Sequence, residues 1–167
     1  MTVDQTRTTT APSTGTNIKT IRATGEWEGS MTTRVRSRQF EYLIDEPTAI
    51  GGNDLAPTPM QYVVGAVNGC VSVVIETVAS ERGVPIRAIR TTSAARQDVR
   101  GFQGTAPVSP HFQDFVLSVE LDAEIPIDHR ADFTSEVERR CPAISLIRDA
   151  GVELAIDWVF ASTETAR

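Results

Sequence analysis

Metal-ligating and nucleophilic side chains are scarce in this sequence, which has two cysteines and two histidines among 167 residues. Cys70, Cys141, His111 and His129 stand far apart without a CxxC or HxxxH pair, so the spacing of the common zinc sites is missing and neither metal nor other cofactor is expected. No GxSxG nucleophile elbow occurs. Gly51-Gly52 is not followed by Lys and then Ser or Thr at the spacing a phosphate loop requires. A net charge of −6 and a pI near 4.9 give no general attraction to nucleic acid or to an anionic membrane. Residues 1–16 are polar, rich in threonine and without an apolar signal-peptide core, so they are expected to form a disordered tail of a cytoplasmic protein. In that compartment both thiols are reduced at rest, and a bond between them would be transient, catalytic or redox-sensing.

What is present is 40% hydrophobic and 23% charged, enough for one sizeable core, and a single domain over residues 17–167 is expected. Its organising stretch is Thr58 to Pro85, TPMQYVVGAVNGCVSVVIETVASERGVP. Thr58 suits an N-cap and Pro59 the first helical position, while Gly83 and Pro85 supply a stop. The many valines inside favour a strand, but a run of this length without a turn signal exceeds ordinary strand length, and a helix is the reading. Apolar residues surround its axis, so the helix is expected to be buried on most sides, as the central helix of a domain or a dimer. Leu55 to Ile75 carries no charge, yet Pro57, Pro59, Gln61 and Asn68 interrupt it and the helical apolar part is short for a membrane span.

Before the helix, strands are expected at Ile18–Thr24, around Met31–Arg36 and at Gln39–Ile44, with Asp45 to Pro57 an ordered loop. Arg34, Arg36 and Arg38 alternate and would point from one face of extended chain. That row reads either as a solvated basic face or as an anion-binding, thiolate-stabilising one. After the helix come a strand at Ile86–Ala95, a Gly- and Pro-containing loop over 99–111, and a half-buried strand in which Phe115, Leu117, Val119 and Leu121 alternate with wetter positions. A second helix is expected from Asp132, as N-cap, to about Arg140. Pro142 forbids its continuation and makes Cys141 the N-cap of a short helix ended by Gly151, where the dipole, Arg139 and Arg140 favour a thiolate. A last strand spans Val152 to Phe160. The order indicates an α+β fold with helices on one side of antiparallel sheet.

His111, in a Pro-rich loop, and His129, beside Asp128 and Arg130, read as surface residues. The two cysteines remain. A cysteine in an apolar helix is ordinarily an inert small hydrophobe. Gly65, Ala66, Asn68, Gly69 and Ser72 are small or polar around Cys70, however, and leave room for a ligand or a closely packed partner.

Three features together, GGNDLAPTPMQYVVGAVNGC, the RRCPAISLI segment around Cys141, and the leading GEWEG and TTRVRSRQFEYLIDEP strands, resemble the OsmC/Ohr family of thiol peroxidases. The resemblance implies an OsmC-like fold, with antiparallel sheets on a central buried helix, in an intertwined homodimer. It implies that Cys70 is peroxidatic and attacks an organic hydroperoxide, and that Cys141 is resolving and condenses with it to a disulfide which a dithiol reduces. The family supplies an arginine from the amino-terminal sheet to the thiolate, held by a glutamate near the start of the central helix. Here Arg36 or Arg38 is the candidate arginine, Met60 stands at the glutamate position, and Gln61 is its polar neighbour, able to hydrogen-bond a guanidinium but not to hold it with charge. A weaker peroxidase than the glutamate-bearing relatives is the expectation. The alternative is a protein of the same fold that binds a small molecule or lipid, or senses redox state, without efficient turnover.

Overall fold

The computed structural model describes residues 17–161, and the expected tail over 1–16 lies outside them. The chain divides into two compact units, Met1–Ala56 and Pro57–Arg167.

The first unit is a three-stranded antiparallel sheet, β1 (Thr24–Gly29), β2 (Thr32–Ser37) and β3 (Phe40–Ile44), in that spatial order. The strand expected at Ile18–Thr24 begins only at Thr24, because β2 ends at Ser37 and Thr24 pairs with Arg36, which leaves earlier residues no ladder partner. Alternation gives the sheet two unlike faces. Trp27, Val35 and Tyr42 share one, while Glu26, Arg34, Arg36 and Glu41 share the other. Arg38 leaves the expected row, since it occupies the β2–β3 turn at φ 57°.

The loop after β3 is built on Asp45, whose fully buried carboxylate accepts the backbone N–H groups of Glu46, Asn53 and Leu55. Gly51 takes φ 105°, and Gly52 lies so close to Glu46 that a Cβ would come within 1.8 Å of the Glu46 carbonyl oxygen. The glycine pair therefore folds the chain back on itself.

In the second unit α1 (Pro59–Glu81) starts in a capping box, with Thr58 Oγ1 accepting from Gln61 N at 3.3 Å and Gln61 Oε1 accepting from Thr58 N at 2.8 Å. By length and composition α1 could cross a membrane, but Val67, Val71, Ile75, Val78 and Ala79 form a buried stripe in the core of this unit. Each buried valine or isoleucine contributes roughly 1.5–3 kcal/mol of transfer free energy. Burial is confined to that stripe, as Val63 and Val73 are 42% and 63% exposed. Within one chain, one sheet and two helices cover a single side of α1.

The stripe packs on β4 (Ile86–Gln97), on α3 (Ile127–Arg140) and on α4 (Pro142–Asp149). A five-residue helix, α2 (Val99–Gln103), interrupts the expected loop between β4 and β5 (Phe112–Ala123). Phe115, Leu117, Val119 and Leu121 of β5 face the core, as their alternation requires. β6 (Glu153–Phe160) lies on the other side of β5 and runs parallel to it, so this sheet is mixed where an antiparallel one is expected. The α3–α4 segment supplies the long crossover a parallel pair needs. α3 begins at Ile127, well before Asp132, because Pro126 has the φ of a helix entry and Asp128 complements the first turn. Asp132 instead receives Arg82 at 2.7 Å.

Burial pushes the Asp45 carboxyl up, but the N–H groups of Glu46, Leu55 and Asn53 and the Thr32 hydroxyl outweigh it and hold the group below its ordinary value of 3.8. The folded pKa is depressed, so the stabilisation is complete above that ordinary value and lost as pH falls through the folded one. Asp45→Asn should therefore lower the thermal midpoint at pH 7, with the gap to wild type closing in acid. A gap independent of pH would show that ionisation of Asp45 plays no part.

Candidate functional site

Cys70 lies in the middle of α1 and is half-buried, whereas Cys141 is completely buried. Pro142 cannot continue α3, and the break leaves Cys141 extended at φ −76°, ψ 111°, as C-cap of α3 and N-cap of α4 at once. Its N–H still closes α3 on the Val137 carbonyl at 3.0 Å, and its own carbonyl accepts Ser145 N at 3.0 Å. The junction is held against the buried stripe of α1, and the two sulfurs, 71 residues apart in sequence, are 3.6 Å apart as free thiols. A disulfide of about 2.05 Å lies roughly 1.5 Å of sulfur movement away.

The environment of the two thiols is unequal. Burial pushes the Cys141 thiol up; the backbone N–H groups of Ile144 and Ala143 pull it down, and the neighbouring Cys70 pushes it up again. The net direction is upward, contrary to the thiolate expected from helix dipole and arginines. Desolvation outweighs the dipole, and both arginines have carboxylates of their own: Arg139 Nη2 lies 2.8 Å from Glu136, and Arg140 is bidentate on Glu81 of α1 at 2.5 and 2.9 Å. Around Cys70, Asn68 Oδ1 accepts the Ser93 hydroxyl of β4, and Ser72 Oγ donates to the Asn68 carbonyl at 3.1 Å. A Cβ placed on Gly65 or Gly69 would meet nothing within 4 Å, so the small residues do leave an open flank.

The other expected residues are placed less directly. Arg36 donates to Glu41 at 2.6 Å and lies 3.6 Å from Glu26, and Arg34 bridges Glu28 and Glu41, all within the first unit. Arg38 stands over the Phe40 ring at 5.6 Å. Gln61 is used by the capping box, and Met60 packs half-buried against the core. Met60, Val64 and Phe112 also line an open cleft of about 290 Å³ with Gln61 and Ser93. His111 Nδ1 lies 2.5 Å from the Phe112 carbonyl oxygen, and His129 is exposed on α3. Among the described residues no group of three His, Cys, Asp or Glu side chains could hold a metal. Three contacts escape a reading by sequence alone: Glu81–Arg140, and those of Glu138, which takes Arg148 at 2.6 Å and the Trp158 indole N–H at 3.0 Å. No motif marks them, and the Glu81–Arg140 partners are 59 positions apart.

A small alkylating reagent at neutral pH should modify Cys70 at least about tenfold faster than Cys141, which is fully buried and whose thiol burial pushes up. Peptide mapping after a short exposure to iodoacetamide reads the ratio, and equal rates would contradict the burial of Cys141.

Residues 51–157, which include both cysteines, match the family model for OsmC-like proteins. No curated protein matches by sequence. Among solved structures, an OsmC-like protein from Mycoplasma pneumoniae superposes with a TM-score of 0.74 at 14% identity, over 86% of this chain and 99% of its own. An organic hydroperoxide resistance protein from Legionella pneumophila gives 0.61 at 15% identity, over 88% and 100%. The organic hydroperoxide resistance protein OhrB of Bacillus subtilis gives 0.55 at 16%, over 84% and 98%. At such identities the structures establish the fold, and with the family model covering most of the chain the conclusion is that this protein belongs to the OsmC-like family.

Proposed function

We propose that this protein is a thiol-dependent peroxidase that reduces organic hydroperoxides. The observation that carries the reading is the 3.6 Å approach of a half-buried Cys70 to a fully buried Cys141. Cys70 thiolate attacks the outer oxygen of the hydroperoxide, the O–O bond breaks, and the alkoxide takes a proton to leave as an alcohol. Cys70 is then a sulfenic acid. The Cys141 sulfur attacks the Cys70 sulfur and expels water, forming the disulfide, and a dithiol reduces this by two successive exchanges. Burial suits Cys141 to resolving, because a protonated, inaccessible thiol is spared by oxidant until a sulfenic acid forms beside it. The named neighbours from Legionella and Bacillus support the substrate class. Such a cycle belongs in a cytoplasm that keeps dithiols reduced.

The unit proposed to act is a homodimer. The exposed Val63 and Val73 and the open flank at Gly65 and Gly69 support it, as a second chain would cover what one chain leaves bare. A second reading, a redox sensor or binding protein of the same fold without efficient turnover, draws on two observations. Arg34 and Arg36 are occupied by Glu28, Glu41 and Glu26, and the helix start carries Met60 and a capping Gln61 where a carboxylate would orient an arginine.

Steady-state reduction of cumene hydroperoxide with excess dithiol discriminates the two. The wild-type protein should turn over many times and Cys70→Ser should be inactive, while Cys141→Ser, mixed with peroxide in the absence of dithiol, should consume one equivalent per chain and hold a sulfenic acid instead of a disulfide. Stoichiometric oxidation of the wild-type protein without turnover would favour the sensor. Sedimentation of the active protein should give about twice the chain mass of 18.2 kDa; a monomer with full activity would remove the dimer from the proposal.

A further inference from the structure

Glu81 and Arg140 join the same two bodies that the cysteines join. Cys70 and Glu81 are both on α1, one rigid helix, and Arg140 is the residue immediately before Cys141 at the α3–α4 break. The ion pair is bidentate, with Arg140 Nη1 and Nη2 donating to Glu81 Oε2 and Oε1 at 2.5 and 2.9 Å, and Glu136 stands behind at 3.7 Å. Both partners are partly shielded, with Arg140 30% and Glu81 55% exposed. A planar guanidinium gripping both carboxylate oxygens fixes orientation as well as distance, which one ammonium contact would not.

We propose that Glu81 and Arg140 are positioning residues that hold the Cys141 sulfur in reach of Cys70. The inference rests on the reading of the two cysteines as a redox pair and adds how their separation is maintained. Two attachments between the same two bodies raise the effective concentration of one another's partners. Linkage is reciprocal, so an ion pair that favours the disulfide is itself favoured by it. Neither side chain touches the sulfurs, and neither enters the chemistry of bond making. Without the clamp the α3–α4 junction remains attached through its apolar packing on α1, where Val137, Ile144 and Ile147 are buried, but it samples larger separations from Cys70.

The test is the equilibrium between dithiol and disulfide in glutathione buffers at fixed pH, read as the mass shift after alkylation. Glu81→Gln and Arg140→Gln should each lower the effective concentration of one thiol at the other by about fivefold, the upper range for a partly exposed pair. The double variant Glu81→Gln with Arg140→Gln should fall no further than either single one, because each removes the same contact. Arg140→Lys should recover part of the loss. Arg96→Gln, which breaks the pair with Asp114 on the sheet, should titrate with wild type and so separate the clamp from general loss of surface charge. Single variants that titrate with wild type, or a double variant whose shift is the sum of the two, would overturn the proposal. The titration uses no peroxide, so failure of the protein to turn over hydroperoxide would count against the peroxidase and leave this result standing.

Discussion

Everything in the second unit depends on one interface, the apolar stripe of α1 against β4 and the α3–α4 pair. Val71, Ile75, Phe115, Leu117, Phe133, Val137 and Ile144 are all at or near zero exposure, and the Cys141 sulfur is buried among them. Because packed interiors leave little room to shift, a helix seated by such a stripe presents its next face at a fixed azimuth. Cys70 is the residue immediately before Val71, so the packing that buries one aims the other at the rim of the core. The approach of the two sulfurs is therefore a by-product of core packing combined with one break in a helix.

That break is where local chemistry and tertiary structure meet. Pro142 lacks an N–H and restricts the residue before it, which stops α3, turns the backbone and starts α4 within two residues. A continuous helix would carry its cysteine past α1 at whatever height the heptad pattern allowed. A broken one sets the thiol at the junction, where burial decides its protonation more strongly than the helix dipole does. The two sulfurs thereby differ in access while lying in van der Waals contact, an asymmetry that suits a division between a first reacting thiol and a second one.

Much of this was legible from residues. Thr58 and Pro59 announce the start of α1 through caps that need no tertiary partner, Pro142 announces the break, and the alternation from Phe115 to Leu121 announces a half-buried strand. Some misses arose where the deciding partner is far away in sequence, and two were local. Alternation in Glu153–Phe160 marks a strand but carries no information about direction, so its parallel pairing on β5 was hidden. Pro126 replaced the Asp132 cap as the start of α3, the left-handed turn at Arg38 broke a row that looked regular, and Arg140 looked free because Glu81 is 59 positions away. The juxtaposition of Cys70 with Cys141 was likewise beyond any local rule. It came from resemblance to a family, and the fold supplies its physical basis.

The distance of 71 positions between cysteines in contact has a thermodynamic side. A bond between them would close a long loop, and the unfolded chain would lose the freedom to separate those points, which the chain-entropy model values at about 4 kcal/mol for a loop of this length. That is a large share of the stability of an ordinary domain, which is on the order of 5–15 kcal/mol. Oxidation would thus act as a tether on the denatured ensemble, and reduction would release it. A protein built this way would be hardest to unfold, and hardest for a protease to open, while such a bond is in place.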